Sequence, residues 1–219
     1  DGYKSQAARR RREGLVDGLP APVVKFIGRH ARKLVRPTKR RYALVMEYIP
    51  DARTTTTMDL PPAEDLSIIL GTLAEMHAHF WGDPRLADDS VFEWSMLTQM
   101  PNVMQGLYRA WRDEVVEREP GVFTDELMRH ADWVGDHIVD LVAHLNEPLS
   151  IRHGDCRTDN MLFTDDRLVM IDFGVAGSGR PAGDVAYLLS ETIPPGPGAR
   201  ATFLSLCREY HDCLVATGV

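Results

Sequence analysis

Ile151-Arg152-His153-Gly154-Asp155-Cys156-Arg157-Thr158-Asp159-Asn160, followed by Ile171-Asp172-Phe173-Gly174, is the stretch on which the reading turns. Asn160 stands five residues after Asp155, and Asp172 twelve residues after Asn160. Between them, the apolar runs Met161-Leu162-Phe163 and Leu168-Val169-Met170-Ile171 flank a polar turn, Thr164-Asp165-Asp166-Arg167. Two short apolar runs around such a turn predict a β-hairpin. One loop enters the hairpin and another leaves it, so both loops lie at the same end and their polar residues converge.

Two carboxylates and an amide in that arrangement suit phosphoryl transfer from a nucleotide. One carboxylate must accept the proton of an attacking hydroxyl, and oxygen ligands must hold Mg²⁺ against the phosphates. Asp155 fits the base, and Asn160 and Asp172 fit the metal ligands. His-x-Asp-x-x-x-x-Asn followed by Asp-Phe-Gly matches the kinase order, with Gly154 where protein kinases carry Arg. A capped turn would explain the first motif alone, and Asp-Phe-Gly alone is weak. Both together, in order and around a hairpin, point to a kinase-type site.

On these residues the chain resembles the aminoglycoside phosphotransferase and choline kinase superfamily of small-molecule kinases. His-Gly-Asp-x-Arg-x-Asp-Asn over 153–160, and Leu73-Ala74-Glu75-Met76-His77-Ala78-His79-Phe80-Trp81, look most like its ecdysteroid-kinase-like (CHK kinase-like) branch. That branch usually has Asp-Trp where this chain has Asp172-Phe173. The resemblance implies an α+β, protein-kinase-like fold of two lobes, with a mostly helical C-terminal lobe carrying the catalytic hairpin. It implies ATP and Mg²⁺ as cofactors and a small-molecule hydroxyl as acceptor.

Composition is that of a globular chain. The chain has 219 residues, 44% hydrophobic and 26% charged, enough for a sizeable core. No apolar run reaches the length of a membrane span, and no signal-peptide pattern is found. Three cysteines, Cys156, Cys207 and Cys213, are too sparse for a disulfide framework and suggest a reducing, cytoplasmic setting. A formal net charge of −7 disfavours nucleic acid as a partner.

Under the resemblance, residues 1–49 are the remnant of an N-terminal nucleotide-binding lobe, and residues 50–219 the helical lobe with catalytic loop and acceptor pocket. The chain opens on Asp1 rather than Met and reads as a piece of a longer protein. A glycine-rich loop and a strand bearing a phosphate-binding lysine should precede; neither Lys4 nor Lys25 is framed for that role. Arg9-Arg10-Arg11-Arg12-Glu13 reads either as a solvated helix face or as the end of the helix whose carboxylate, Glu13, pairs with that lysine. Val23–Ile27 and Arg41–Ile49 read as strands. Tyr42 to Pro50 resembles the last small-lobe strand entering a kinase hinge. By resemblance, Met46, Glu47 and Ile49 bind the cofactor, the Glu47 carbonyl and Ile49 amide meeting the adenine edge.

Thr54–Thr57 reads as an exposed loop. Asp59 to Phe80 reads as a helix with Asp59 as cap and an apolar stripe of Leu66, Ile69, Leu70, Leu73, Met76 and Phe80. His77 and His79, two apart, do not share a face, and both read as structural. Trp94, Met96, Met100, Met104, Tyr108 and Trp111 are core residues or the lining of an acceptor pocket. Thr124 to Leu145 is the clearest helix, with Thr124 as cap and Asp125 and Glu126 in its first turn. Val175 to Gly183 is flexible by composition. Asp184 opens a helix, capping it or bracing the catalytic loop, and Ala199 to Ala216 is a final helix. Cys207, His211 and Cys213 match no zinc spacing.

Two spacings bear on the acceptor. More than a hundred residues separate Glu47 from Asp155, about twice the distance in a protein kinase by family expectation. Twelve residues separate Asp172 from Asp184, too few for an activation segment and its Ala-Pro-Glu terminus. A protein substrate is therefore disfavoured. Arg157 stands where protein kinases carry a lysine on the transferring phosphoryl group. It either stabilises that group's charge or pairs with Asp159 or Asp184. Cys156 reads as a packing residue. Two alternatives stay open: an aminoglycoside or macrolide kinase, with Asp88, Asp89, Glu93, Asp113, Glu114 and Glu117 as an acidic pocket, and a non-catalytic nucleotide-binding pseudokinase.

Overall fold

Residues 161–170 form the hairpin that the two apolar triplets predict. In the computed structural model, which describes residues 14–34, 43–55, 61–87, 100–144, 147–165 and 167–219, β2 (Met161–Phe163) pairs antiparallel with β3 (Leu168–Met170). Thr164 closes the turn, its N–H and hydroxyl both donating to the Arg167 carbonyl at 2.9 Å. The other elements are α1 (Ala21–Leu34), α2 (Ala63–His79), α3 (Pro101–Arg118), α4 (Asp125–His144), β1 (Ser150–Arg152), β4 (Gly177–Gly179), α5 (Ala182–Thr192) and α6 (Ala199–Ala216). The architecture is thus α+β, with helices dominant and, among the described residues, two small antiparallel sheets, β1–β4 and β2–β3.

The chain divides into two units. One comprises residues 1–45 and 95–144, the other residues 46–94 and 145–219. In the first, Val24 of α1 is buried with Val103 and Leu107 of α3, packed by Leu19, Met100 and Met104. A Cβ on Gly106 would lie 2.6 Å from Val24 Cγ1, so the small residue lets the two helices approach. Val23–Ile27 is therefore helical, not the strand that its β-branched run suggests. Pro22 sits in the first turn, where its missing N–H costs nothing, and packing on α3 outweighs the β preference. Within α4's cap, Leu127 N–H donates to Thr124 Oγ1 at 3.2 Å, as expected.

The second unit holds the core that carries the catalytic loop. Ile69, Leu70, Leu73 and Ala74 of α2 are fully buried with Cys156, Met161, Leu188 and Leu189, and Tyr210 and Leu214 of α6 close the cluster. The stripe on α2 is thus the buried one, and His77 lies within it with no exposure. Gly177–Gly179 corrects a second expectation. This segment is an ordered strand on β1, in the register Ser150↔Gly179 and Arg152↔Gly177. Gly179 answers a steric demand: a Cβ there would stand 2.7 Å from Arg152 Nε.

Residues 43–49 form no ladder among the described residues, so the expected strand is not found there; Arg41 and Tyr42 lie outside them. Leu44, Val45, Met46 and Tyr48 are all well exposed. Just beyond, Arg53 exchanges both backbone hydrogen bonds with Phe163 at 2.8 Å. Its guanidinium binds both Asp65 oxygens (2.6 and 2.9 Å) and lies 4.5 Å from the Phe163 ring centroid. Lys4, Glu13 with its arginine run, Thr56 and Thr57, Asp59, Asp88, Asp89, Glu93, Trp94 and Met96 lie outside the described residues.

Candidate active site

The catalytic loop is held from below by one buried carboxylate. Asp184, in the first turn of α5, accepts the His153 N–H on Oδ2 at 2.7 Å and the Gly154 N–H on Oδ1 at 3.0 Å. Of the two roles that sequence allows Asp184, the structure gives bracing: Pro181 precedes the helix and no side-chain cap bond forms. His77 Nε2 lies 3.3 Å from Asp184 Oδ2, and His77 Nδ1 lies 2.8 Å from the Tyr210 hydroxyl. Burial alone pushes the Asp184 carboxyl up. Hydrogen bonds from His77 and the two loop N–H groups outweigh it and hold the group below the usual carboxylate range. The same burial drives the Tyr210 phenol and the Cys156 thiol well upward. Cys156 is fully buried in the core cluster, the packing residue that its neighbours imply.

Gly154 explains the His-Gly-Asp wording. Its φ is +84°, and a Cβ there would stand 2.4 Å from the Val175 carbonyl oxygen. Both the conformation and the close approach require glycine. His153 is fixed at both ring nitrogens. Nδ1 accepts the Asp155 N–H at 3.3 Å, Nε2 pairs with the Ile171 carbonyl at 2.8 Å, and Phe173 packs on the ring at 4.4 Å between centroids.

Ile171 joins the two halves of the site. Its N–H donates to the Asn160 carbonyl at 3.0 Å while its own carbonyl meets His153, so Asp172 follows directly after a doubly held residue. Asp172 has φ +61° and ψ +58°, an uncommon conformation for a non-glycine residue, and its side chain is exposed. Asn160 Nδ2 donates to the Asp155 carbonyl at 3.0 Å and to Asp155 Oδ2 at 3.3 Å. The structure thus brings Asp155 and Asn160 into contact, and the Ile171 N–H bond to the Asn160 carbonyl ties the residue before Asp172 to them.

The donor set fits Mg²⁺. With Asn160 Nδ2 committed to Asp155, the amide offers its oxygen, and Asp172 offers a carboxylate with no cationic partner among the described residues. No cluster of three or more His, Cys, Asp or Glu suited to a metal occurs among the described residues. Mg²⁺ needs none, because it takes one or two protein oxygens and fills its octahedron with phosphate and water.

Arg157 pairs with Asp159 in both directions of its fork, Nε to Oδ1 at 3.1 Å and Nη2 to Oδ2 at 2.8 Å, and its Nε lies 3.9 Å from Glu191. Asp184 is not its partner. Met46 and Glu47 are exposed and Ile49 half-buried on the unladdered segment. On α3, Asp113 is bound by Lys25 (2.7 Å) and Arg112 (2.8 Å), which hold its carboxyl below the usual range, and Glu114 pairs with Arg118. Sequence reading missed Tyr210, and gave His77 no partner. The signal for His77 was present: it stands four residues after Leu73, inside the apolar stripe.

Comparison with known proteins bears on this geometry. No curated protein matches the chain. Among solved structures, a Plasmodium vivax ethanolamine kinase is similar at 15% identity and a TM-score of 0.45, over 88% of this chain and 62% of that one. A glucosamine kinase is similar at 20% identity and a TM-score of 0.38, over 78% of this chain and 49% of that one. The same enzyme in complex with glucosamine, ADP and inorganic phosphate gives 20% and 0.38, over 78% and 50%. The chain therefore spans less than two thirds of the length of these proteins. A profile of the phosphotransferase enzyme family, APH, matches residues 8–211. By that match, which takes in the hairpin and every residue of the candidate site, the chain belongs to the APH phosphotransferase family.

Proposed function

We propose that the protein transfers the γ-phosphate of ATP to a hydroxyl group of a small molecule. The observation that carries this reading is the contact of Asn160 Nδ2 with both the backbone carbonyl and the carboxylate of Asp155, on a loop whose backbone Asp184 fixes. In it, Asp155 receives the acceptor's proton, and Asn160 and Asp172 hold Mg²⁺. When bound, the cation supplies charge neutralisation at the phosphates. Fixed N–H groups and buried partners hold the backbone that carries the carboxylate, so its position is set before the substrate arrives.

Arg157 is the group for the charge of the transferring phosphoryl. Both it and Asp159 are about one third exposed, and exposed ion pairs are weakly held, so exchange of Asp159 for a phosphate oxygen costs little. Residues 1–49 are assigned to the nucleotide-binding lobe and 50–219 to the helical lobe, with backbone groups of Met46, Glu47 and Ile49 on adenine. The short path from Asp172 to Asp184 supports a small acceptor over a protein. No helix among the described residues is long and apolar enough to cross a membrane, which is compatible with the cytoplasmic setting that the cysteine count suggests.

The test is ADP release by the full-length protein with Mg-ATP against sterols, choline-like amines, aminoglycosides, macrolides and sugars. One of these should stimulate release. Asp155→Asn should lower kcat by about 10²–10⁴, the usual worth of a general base, and leave Mg-nucleotide binding intact. Full turnover in that variant would overturn the assignment.

A further inference from the structure

Helix α5 meets the catalytic loop along one face. Asp184, Tyr187 and Glu191 follow at spacings of three and four, which puts them on one side of a helix. Asp184 takes the N–H groups of residues 153 and 154, at 2.7 and 3.0 Å. Glu191, two turns on, has its carboxylate 3.9 Å from Arg157 Nε. The loop thus runs along the helix in register, and the position between these anchors, Tyr187, falls opposite residue 155. The phenol's surroundings agree. Burial first, then the charges of Glu191 and Asp155, and after them a hydrogen bond toward the Asp155 carboxylate, push it above its ordinary range. Tyr187 is nevertheless 38% exposed, too open for a core residue.

An ionised carboxylate has about four lone-pair sites on two oxygens. On Asp155, Asn160 Nδ2 takes one at 3.3 Å on Oδ2. A second donor from the α5 side fixes the remaining rotation of the carboxylate and still leaves room for an acceptor hydroxyl.

We infer that Tyr187 is a positioning residue of the phosphotransfer reaction, its hydroxyl holding the Asp155 carboxylate in the orientation that meets the acceptor. The inference rests on the function proposed above. Tyr187→Phe keeps the ring and removes the donor; Tyr187→Leu removes both. Steady-state turnover of the full-length protein is followed with Mg-ATP and the most active acceptor of the panel, and in parallel with water alone as acceptor. Tyr187→Phe should lower kcat about 10-fold or more, the worth of one hydrogen bond to a charged group, with the KM for Mg-ATP and the Tm unchanged. Tyr187→Leu should lose as much in kcat. A residue that only packs would give the opposite pattern, Phe like wild type and Leu lowered in Tm.

Full kcat in Tyr187→Phe, with Asp155→Asn inactive, would overturn the inference and leave the function standing. Full turnover in Asp155→Asn, or none in wild type with any acceptor including water, would overturn both.

Discussion

The catalytic loop over 153–160 and the segment 43–49 are both short stretches outside helices, and they are held in opposite ways. Several polar groups of the loop are tied to named partners: Asp184 takes two N–H groups, His153 a third, and Asn160 donates to the Asp155 carbonyl. The segment 43–49 has no ladder among the described residues, and Val45 and Tyr48 are 94% and 84% exposed. The difference teaches where order comes from in each. The loop is held by its own side chains and by Asp184 of α5, which His77 of α2 meets in turn, with Tyr210 of α6 behind it. An extended apolar segment has only pairing across a ladder to order it, and that is a property of two segments, not one.

Three substitutions probe that contrast, from large effect to small. Asp184→Asn should strike hardest, because it leaves the buried His77 and the two loop N–H groups facing an uncharged amide. Loss of one member of a buried charged network costs about 3–5 kcal/mol, or a fall in Tm of about 10 °C for a chain of this size. Its pH signature is specific. The folded-state value lies below the ordinary 3.8, so the charge stabilises fully above that value and the contribution fades as pH falls beneath it. Acid unfolding of the Asn variant should therefore be shallower than that of wild type. Identical acid limbs would show that the loop does not depend on this charge.

Gly154→Ala comes next. A side chain at φ +84° and 2.4 Å from a carbonyl oxygen forces the loop to move, at about 1–3 kcal/mol by chemical denaturation. Activity should fall further than stability, since the shift displaces Asp155. A variant as active as wild type would mean that loop geometry is not what orients the base. Tyr48→Ser should do almost nothing to unfolding, within about 0.5 kcal/mol, because the ring is already exposed. A larger loss would give the segment 43–49 a partner that its exposure hides, and would erase the contrast.

Much of the candidate site's geometry was legible because it is built from local spacing. The hairpin triplets, the offsets of Asp155, Asn160 and Asp172, the helix of α6 to the residue, and the stripe on α2 all follow from spacing. What escaped reading depends on distant partners. Val23 to Ile27 carries the β-branched residues of a strand, and only packing on α3, about eighty residues on, makes it a helix. Gly177–Gly179 reads as flexible until Arg152 is seen to fill the space above Gly179. Tyr210 lies 133 residues from the histidine it meets. Of Asp184's two possible roles, only the loop N–H groups decide.

Cys156 turns this architecture into an instrument. The thiol is fully enclosed beside the residue proposed as base, and its enclosure keeps it protonated and unreactive at neutral pH. Alkylation can proceed only in moments when the core beneath the loop breathes. The labelling rate of Cys156, read against the more open Cys207 and Cys213, therefore clocks those moments without any engineered probe. Ligands that seat on the loop would slow that clock, and their affinity could be read from the delay.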